Sequence, residues 1–372
     1  MNISTTNGEQ SVAGIRGFMV PLHCEDLVPT MQFFIERLGF RIDAIFPADS
    51  PRTAILSGKG LTVLLRPGKR ASAEELHLLC DDPGQLGEGV RELIAPNGVK
   101  VRLTYANPPM QSVESKQELS VSLQADGTPW TVGRAGLRYR DLLPGRHGGA
   151  FVASHIRILE GGPVPDYVHY HKARFQVIFC RKGWVRVAYE GQGDPFVLSP
   201  GDCVLQPTMI RHRVLESSAG AEVVEIGSPA EHITMADQNM VLPNGLYAPD
   251  HKFEGQRFVR FIAEKASWEI WKSPGFIAAD TGIGEATNGL GGVRLVRPKR
   301  TSASAKRLHA TEFCLFFILN GSLTVTTGST PYALSADDSI VIPGNTSYSL
   351  DECSADLEML EVTLPADFDL SI

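Results

Sequence analysis

The second half of the chain is written twice. GLRYRDLLPG (136–145) aligns with GFIAADTGIG (275–284), FQVIFCRKG (175–183) with FCLFFILNG (313–321) and SPGDCVLQP (199–207) with SADDSIVIP (335–343), at an offset that stays between 136 and 139 residues. Each copy consists of short apolar runs punctuated by Gly, Pro and Asp, with hardly a helix-length period. That pattern specifies two tandem copies of one all-β sandwich or barrel. The copies are expected over 128–245 and 246–372.

Ahead of them the pattern differs. RGFMVPLHC reads as a strand and DLVPTMQFFIERLGF as a helix, capped by Asp26 and ended at Gly39, with Leu27, Met31, Phe34 and Leu38 at helical spacing. Strands follow around FRIDAIF, RTAILS and LTVLLRP. A second cycle gives a strand at ELHLLC, a helix at PGQLGEGVRELIAP and a strand at VKVRLTY. The expected architecture is therefore multidomain: an N-terminal α+β domain of β-α-β-β-β modules over 14–125, then two all-β barrels.

Composition narrows the partners. With 43% apolar and 21% charged residues, each domain can bury an ordinary core. A formal charge of −7 leaves no basic surplus for phosphates, so neither nucleic acid nor an anionic membrane is expected as a partner. The short cluster Arg297-Pro298-Lys299-Arg300 reads as solvated loop charge. Six scattered cysteines without a C-x-x-C pair exclude a zinc knuckle and fit reduced thiols in a cytoplasm. Cys180 and Cys203 are expected as buried apolar fillers. The polar start MNISTTNGEQSVAG has no apolar core of a signal peptide, and no run of 18 apolar residues occurs.

Chemistry concentrates in the first copy, which reads G-x6-H-x-H-x4-Q-x6-G through Gly162, His169, His171, Gln176 and Gly183, then G-x5-P-x4-H through Gly201, Pro207 and His212. On a strand the side-chain period is two, so His169 and His171 face one way and Tyr170 the other. A turn at Lys172-Ala173-Arg174 can return Gln176 beside them, and the Pro207 turn delivers His212. Three imidazoles converging in a small barrel make a divalent transition-metal site with positions left for water or substrate; Gln176 is either a fourth ligand or a hydrogen-bonding neighbour of one. An amide in place of a carboxylate removes one negative charge, which lowers metal affinity, strengthens the Lewis acid and attracts anionic substrates. Gln176→Glu is accordingly expected to raise metal retention. Neutral ligands of this kind suit Fe(II), with Mn, Ni, Cu and Zn also accommodated.

These two blocks resemble the two motifs of the cupin superfamily, and the tandem copy resembles a bicupin over roughly 130–365. The usual pattern has a glutamate where Gln176 stands and a glycine where Met209 stands. The second copy places Arg307, His309, Cys314 and Tyr348 in the four ligand positions, so that barrel is expected to be structural or at most a metal-free ligand pocket. Self-association as a homodimer is implied by the resemblance alone. The helix DLVPTMQFFIERLGF resembles the first helix of the vicinal-oxygen-chelate (glyoxalase and bleomycin-resistance) family. Phe18 and Met19 occupy the neighbourhood of that family's first metal ligand and His23 is out of register, so the resemblance implies the fold without its metal site.

Around the first-copy motifs, Gln206 precedes the Pro207 turn, and His155 and Arg157 share one face of AFVASHIRIL. If that face looks inward, Arg157 pairs with a substrate carboxylate; if it looks out, Val152, Ile156 and Ile158 fill the interior. Arg157 and Gln206 are the candidate substrate-binding residues. The leading functional expectation is a mononuclear metal dioxygenase that acts, with dioxygen, on a small enolic, phenolic or carboxylate compound. The alternatives are a lyase or isomerase working through an enolate, and a non-catalytic metal-loaded binder.

Overall fold

The computed structural model describes residues 14–68, 75–84, 91–94, 100–299 and 305–371. The polar start 1–13, part of the helix expected at 83–96, and Arg300 lie outside them. Among the described residues no helix is long and apolar enough to cross a membrane. The chain is predominantly β and forms two compact units, Met1–Pro47 with Pro51–Met110, and Ala48–Ser50 with Gln111–Ile372.

The first unit runs β1 (Ile15–Cys24), α1 (Leu27–Gln32), β2 (Arg41–Phe46), β3 (Thr53–Gly58) and β4 (Leu61–Pro67). The Asp26 carboxylate accepts from the Val28 N–H at 3.1 Å, satisfying a donor the helix leaves orphaned. After α1 the chain widens into a π-helical turn at Phe33–Arg37. Leu27 and Met31 bury against Ala54, Leu56, Val63 and Leu65. β4 lies parallel to β1, and β3 bridges β2 and β4 antiparallel. Beyond them, β5 (Glu75–Cys80) pairs with β1 and β7 (Lys100–Tyr105) with β5. The helix expected over PGQLGEGVRELIAP is not formed at its end. Glu92–Ile94 is instead strand β6, antiparallel to β7, with Glu92 bridged to Lys100 and Arg102.

In the second unit both repeats become two-sheet barrels. The first barrel pairs Cys203–Leu205, Phe175–Lys182, Ala221–Ser228, Val152–Ile158 and Arg138–Asp141 in that order. Facing it stand Phe196–Leu198, Val185–Tyr189, His212–Ser217, His169–His171 and Thr234–Ala236. The second barrel repeats the order with Ser339–Val341, Phe313–Asn320, Glu358–Leu364, Gly292–Pro298 and Phe276–Asp280.

The barrels exchange their edge strands. Val259–Phe261, which lies ahead of the second copy's first matched segment (275–284), pairs with Cys203–Leu205 of the first barrel. Ser120–Ser122, which precedes the first copy, pairs with Ser339–Val341 of the second. One apolar core runs through both sheets, from Leu142, Phe175, Phe179 and Val224 to Leu295, Phe317 and Leu360. Phe151 and Phe313 stack at its middle, 4.3 Å between centroids and 17° between planes. Arg174 clamps Glu312 with two bonds of 3.1 and 2.6 Å.

Candidate metal centre

The strand His169–His171 lies between His212–Ser217 and Thr234–Ala236, with His169 directly opposite His212. Cross-strand pairing and the two-residue period therefore put the three imidazoles on one inward face. One ring nitrogen of each lies within 4.8 Å of those of the other two. Ring centroids are 4.3 Å apart for His169 and His212, 5.1 Å for His171 and His212, and 5.2 Å for His169 and His171.

Each ring is fixed from behind at Nδ1. His169 donates to the Tyr167 carbonyl at 2.8 Å, His212 to the Ile210 carbonyl at 3.0 Å, and His171 pairs with the Thr234 hydroxyl at 3.0 Å. A proton on Nδ1 leaves the Nε2 lone pair for the interior, the tautomer a metal requires. Nε2 of His169 is buried with no hydrogen-bond partner. Burial lowers all three pKa values, that of His212 to about 4, and the neighbouring imidazoles and Arg134 lower those of His169 and His171 further. At neutral pH the rings are uncharged donors. An orphaned buried nitrogen among three neutral, pre-oriented imidazoles fits a divalent transition metal.

The Pro207 turn that delivers His212 carries Met209 at φ +69°, a left-handed conformation that favours glycine. Its N–H donates to the His171 carbonyl at 2.9 Å, tying the turn to the H-x-H strand. Asn345 repeats this turn in the second barrel at φ +63° and donates to His309.

The triad opens into a recess of about 80 Å³. Its walls are apolar, with Leu137, Ile156, Ile158, Val185, Val187 and Leu198, and Gln176, Gln206, Glu225 and Arg134 supply polar groups. Gln206 lines the recess as expected of a substrate contact, and its amide donates to the Tyr189 hydroxyl at 3.0 Å. Gln176 also lines it, and its Nε2 donates to Glu225 Oε1 at 2.5 Å. Burial raises the Glu225 pKa, offset by His232 and by the Gln176 bond.

Arg157 does not line the recess. On its strand Ile156 and Ile158 point inward, so Arg157 points out, its guanidinium 4.3 Å from the Trp130 ring centroid and 3.0 Å from Glu222 Oε1. On the same face, His155, Glu222 and Asp337 also bring potential ligand atoms within 4.8 Å. Arg140, bonded to the Asp337 carbonyl at 2.5 Å, Arg157 and Arg181 already supply cationic charge there, so the group is an ion-pair network joining the barrels.

The second barrel keeps the frame without the donors. Arg307 stands opposite Tyr348 as His169 does opposite His212, and Cys314 opposite Thr363 as Gln176 does opposite Gly227. His309 is the single imidazole among those positions, and its Nδ1 accepts the Thr311 N–H, which puts the proton on the inward Nε2. The cysteines of the first barrel are inert fillers, burial pushing the Cys180 thiol up to about 12 and that of Cys203 higher still.

Glu225, Arg134 and Thr234 were not singled out in the sequence. A signal existed for Glu225: in AEVVEIGS it alternates with Val223, and both line the recess. Arg134 lies in an irregular stretch before the first long strand, and its partner Asp166 is distant in sequence. Neither it nor Thr234 carries a spacing pattern.

No protein-family profile matches the chain, and no curated protein matches it in sequence. By fold it is similar to a salicylate 1,2-dioxygenase from Pseudaminobacter salicylatoxidans, with TM-score 0.51 and 15% identity over 70% of this chain and 90% of that one. A mutant of that enzyme in complex with gentisate gives TM-score 0.52 and 17% identity over 70% and 87% of the two chains. Oxalate decarboxylase from Bacillus subtilis gives 0.49 and 13% over 78% and 82%. The β-barrel architecture is that of cupin-fold proteins, present here in two copies.

Proposed function

We propose that the first barrel, 128–245, is the site of a mononuclear metal-dependent oxygenase, a dioxygenase for a small enolic, phenolic or carboxylate compound. The observation that carries this reading is the convergence of three Nδ1-anchored imidazoles at the floor of an apolar-walled recess. His169, His171 and His212 would hold the ion, with Gln176 as a fourth donor; Fe(II) is favoured, and Mn, Ni, Cu or Zn fit the same donors. When bound, the ion supplies a Lewis acid and a meeting point for substrate anion and dioxygen.

The chain's own residues do the rest. The Tyr167 and Ile210 carbonyls hold His169 and His212 in the ligating tautomer, and the Thr234 hydroxyl orients the His171 ring. Ile156, Ile158, Val185 and Val187 exclude water from a reactive adduct, and Gln206, braced by Tyr189, offers a polar contact to the substrate. The fold likeness to a dioxygenase seen with gentisate supports a small aromatic or enolic acid over a polymer. The second barrel, 246–372, is assigned a structural role. The first unit is assigned kinship with the vicinal-oxygen-chelate fold as a packing or association module, and the whole chain a homodimeric state.

Oxygen uptake tests the reading. Uptake with an enolic or phenolic acid that requires Fe(II) and disappears in His169→Ala supports it. Turnover under strict anaerobiosis moves the assignment to a lyase or isomerase, and a protein purified without a histidine tag that binds no divalent metal refutes the site.

A further inference from the structure

Resting on that metal-site reading, we infer that Glu225 is the positioning residue that makes Gln176 a ligand, by fixing which end of its amide faces the imidazoles. A glutamine amide presents an oxygen that can bind a cation and an NH2 group that cannot. Turning one for the other costs nothing in shape, so packing alone does not choose between them.

Glu225 makes the choice. Its Oε1 lies 2.5 Å from Gln176 Nε2, and the two residues stand on neighbouring strands of one sheet, Gln176 opposite Gly227 and Ile178 opposite Glu225. Gln176 is 2% exposed, so water cannot substitute for the contact. Oε1 accepts from the NH2 end, and the amide oxygen is left for the recess that both side chains share with His169, His171 and His212. The carboxyl group missing from position 176 is thus present one hydrogen bond behind it.

The second barrel supplies the contrast. Glu361 occupies the corresponding place, opposite Phe316 on the equivalent strand, but position 314 is a cysteine. With no amide to hold, Oε1 of Glu361 has no hydrogen-bond partner.

The test uses the full chain, stripped with chelator and titrated with Co(II), reading the dissociation constant and the visible ligand-field spectrum. In Glu225→Gln the new amide can donate as well as accept, so Gln176 is no longer held one way. Expected are affinity weaker by about 10- to 100-fold, a spectrum altered as in Gln176→Leu, and no further change when Glu225→Gln is added to Gln176→Leu. Glu225→Asp, which keeps the charge but shortens the reach, gives a second arm with the same direction of change should Glu225→Gln not fold. A wild-type affinity and spectrum in these variants, or an effect that persists in full without Gln176, overturns the inference. Wild-type protein that takes up no Co(II) fails the metal-site reading itself, and this inference with it.

Discussion

Glu361 offers a quantitative test of how the second barrel is built. It is 1% exposed, Oε1 makes no hydrogen bond, and the Arg294 guanidinium reaches Oε2 only at 3.5 Å. Burial outweighs the opposing pull of Arg294, the Trp271 side chain and Lys272, and pushes the carboxyl up from 4.5 to about 7. A raised pKa means that the folded state holds the proton more tightly than the unfolded chain. The contribution to stability is therefore fully present below 4.5 and is lost as pH rises through about 7. At about 1.4 kcal/mol per pH unit the loss amounts to about 3 kcal/mol. Glu361→Gln keeps the shape and removes the titration. The variant should gain on wild type by about 3 kcal/mol between acid and mildly alkaline pH, a relative rise in Tm of about 6 to 12 °C. Thermal unfolding of metal-free protein followed by circular dichroism across that range measures it. A difference between the two proteins that stays constant with pH refutes the reasoning, because it would mean that the carboxyl ionises in the fold as it does in water.

Three further outcomes follow from the geometry. Gln176→Glu, which sequence reasoning expects to retain metal more tightly, would set a second carboxyl against Glu225, and two carboxylates at that distance share a proton; only the exchange Gln176→Glu with Glu225→Gln should raise retention, as elemental analysis after dialysis would reveal. Phe313→Ala removes half of the stack at the inter-barrel core and should cost about 3–5 kcal/mol, lowering both barrels together in one denaturation transition rather than splitting it. Met209→Gly relieves a left-handed residue and should stabilise by up to about 1 kcal/mol, read from the denaturant midpoint; a loss would show that the Met209 side chain does more than occupy its turn.

The parts of this architecture legible in the sequence are those governed by local period and turn chemistry. H-x-H on a strand has one arrangement, and the Gly and Pro around it placed His212 opposite His169. The faces of Val152–Ile158 could not be told apart, because the strand is buried on both sides; its outer face packs His155 against Phe317 of the other barrel. Parity arguments need one wet face, and this strand has none. The Gln176–Glu225 pair was hidden for another reason, since it joins residues 49 apart whose meeting depends on strand order. In Gln111–Ile372, the edge strands 120–122 and 259–261 lie outside or at the margin of the repeat and carry too little pattern to announce that they cross to the opposite barrel.

That exchange bears on why the second copy can lose its ligands and still be kept. Each barrel completes its sheet with a strand that precedes the other copy's first matched segment, so neither sheet is whole when its partner is unfolded. The Arg174–Glu312 clamp, the Phe151–Phe313 stack and the network around Arg140 add contacts that exist only when both are folded. The rear of the sheet that carries Gln176 and Glu225 is covered by Phe313, Phe317 and Leu360. Geometry at the first barrel's centre is thus set partly by packing in the second. Phe313 and Phe317 of the second barrel thus support the sheet behind Gln176 and Glu225, whereas Arg307, Cys314 and Tyr348 occupy ligand positions without imidazoles.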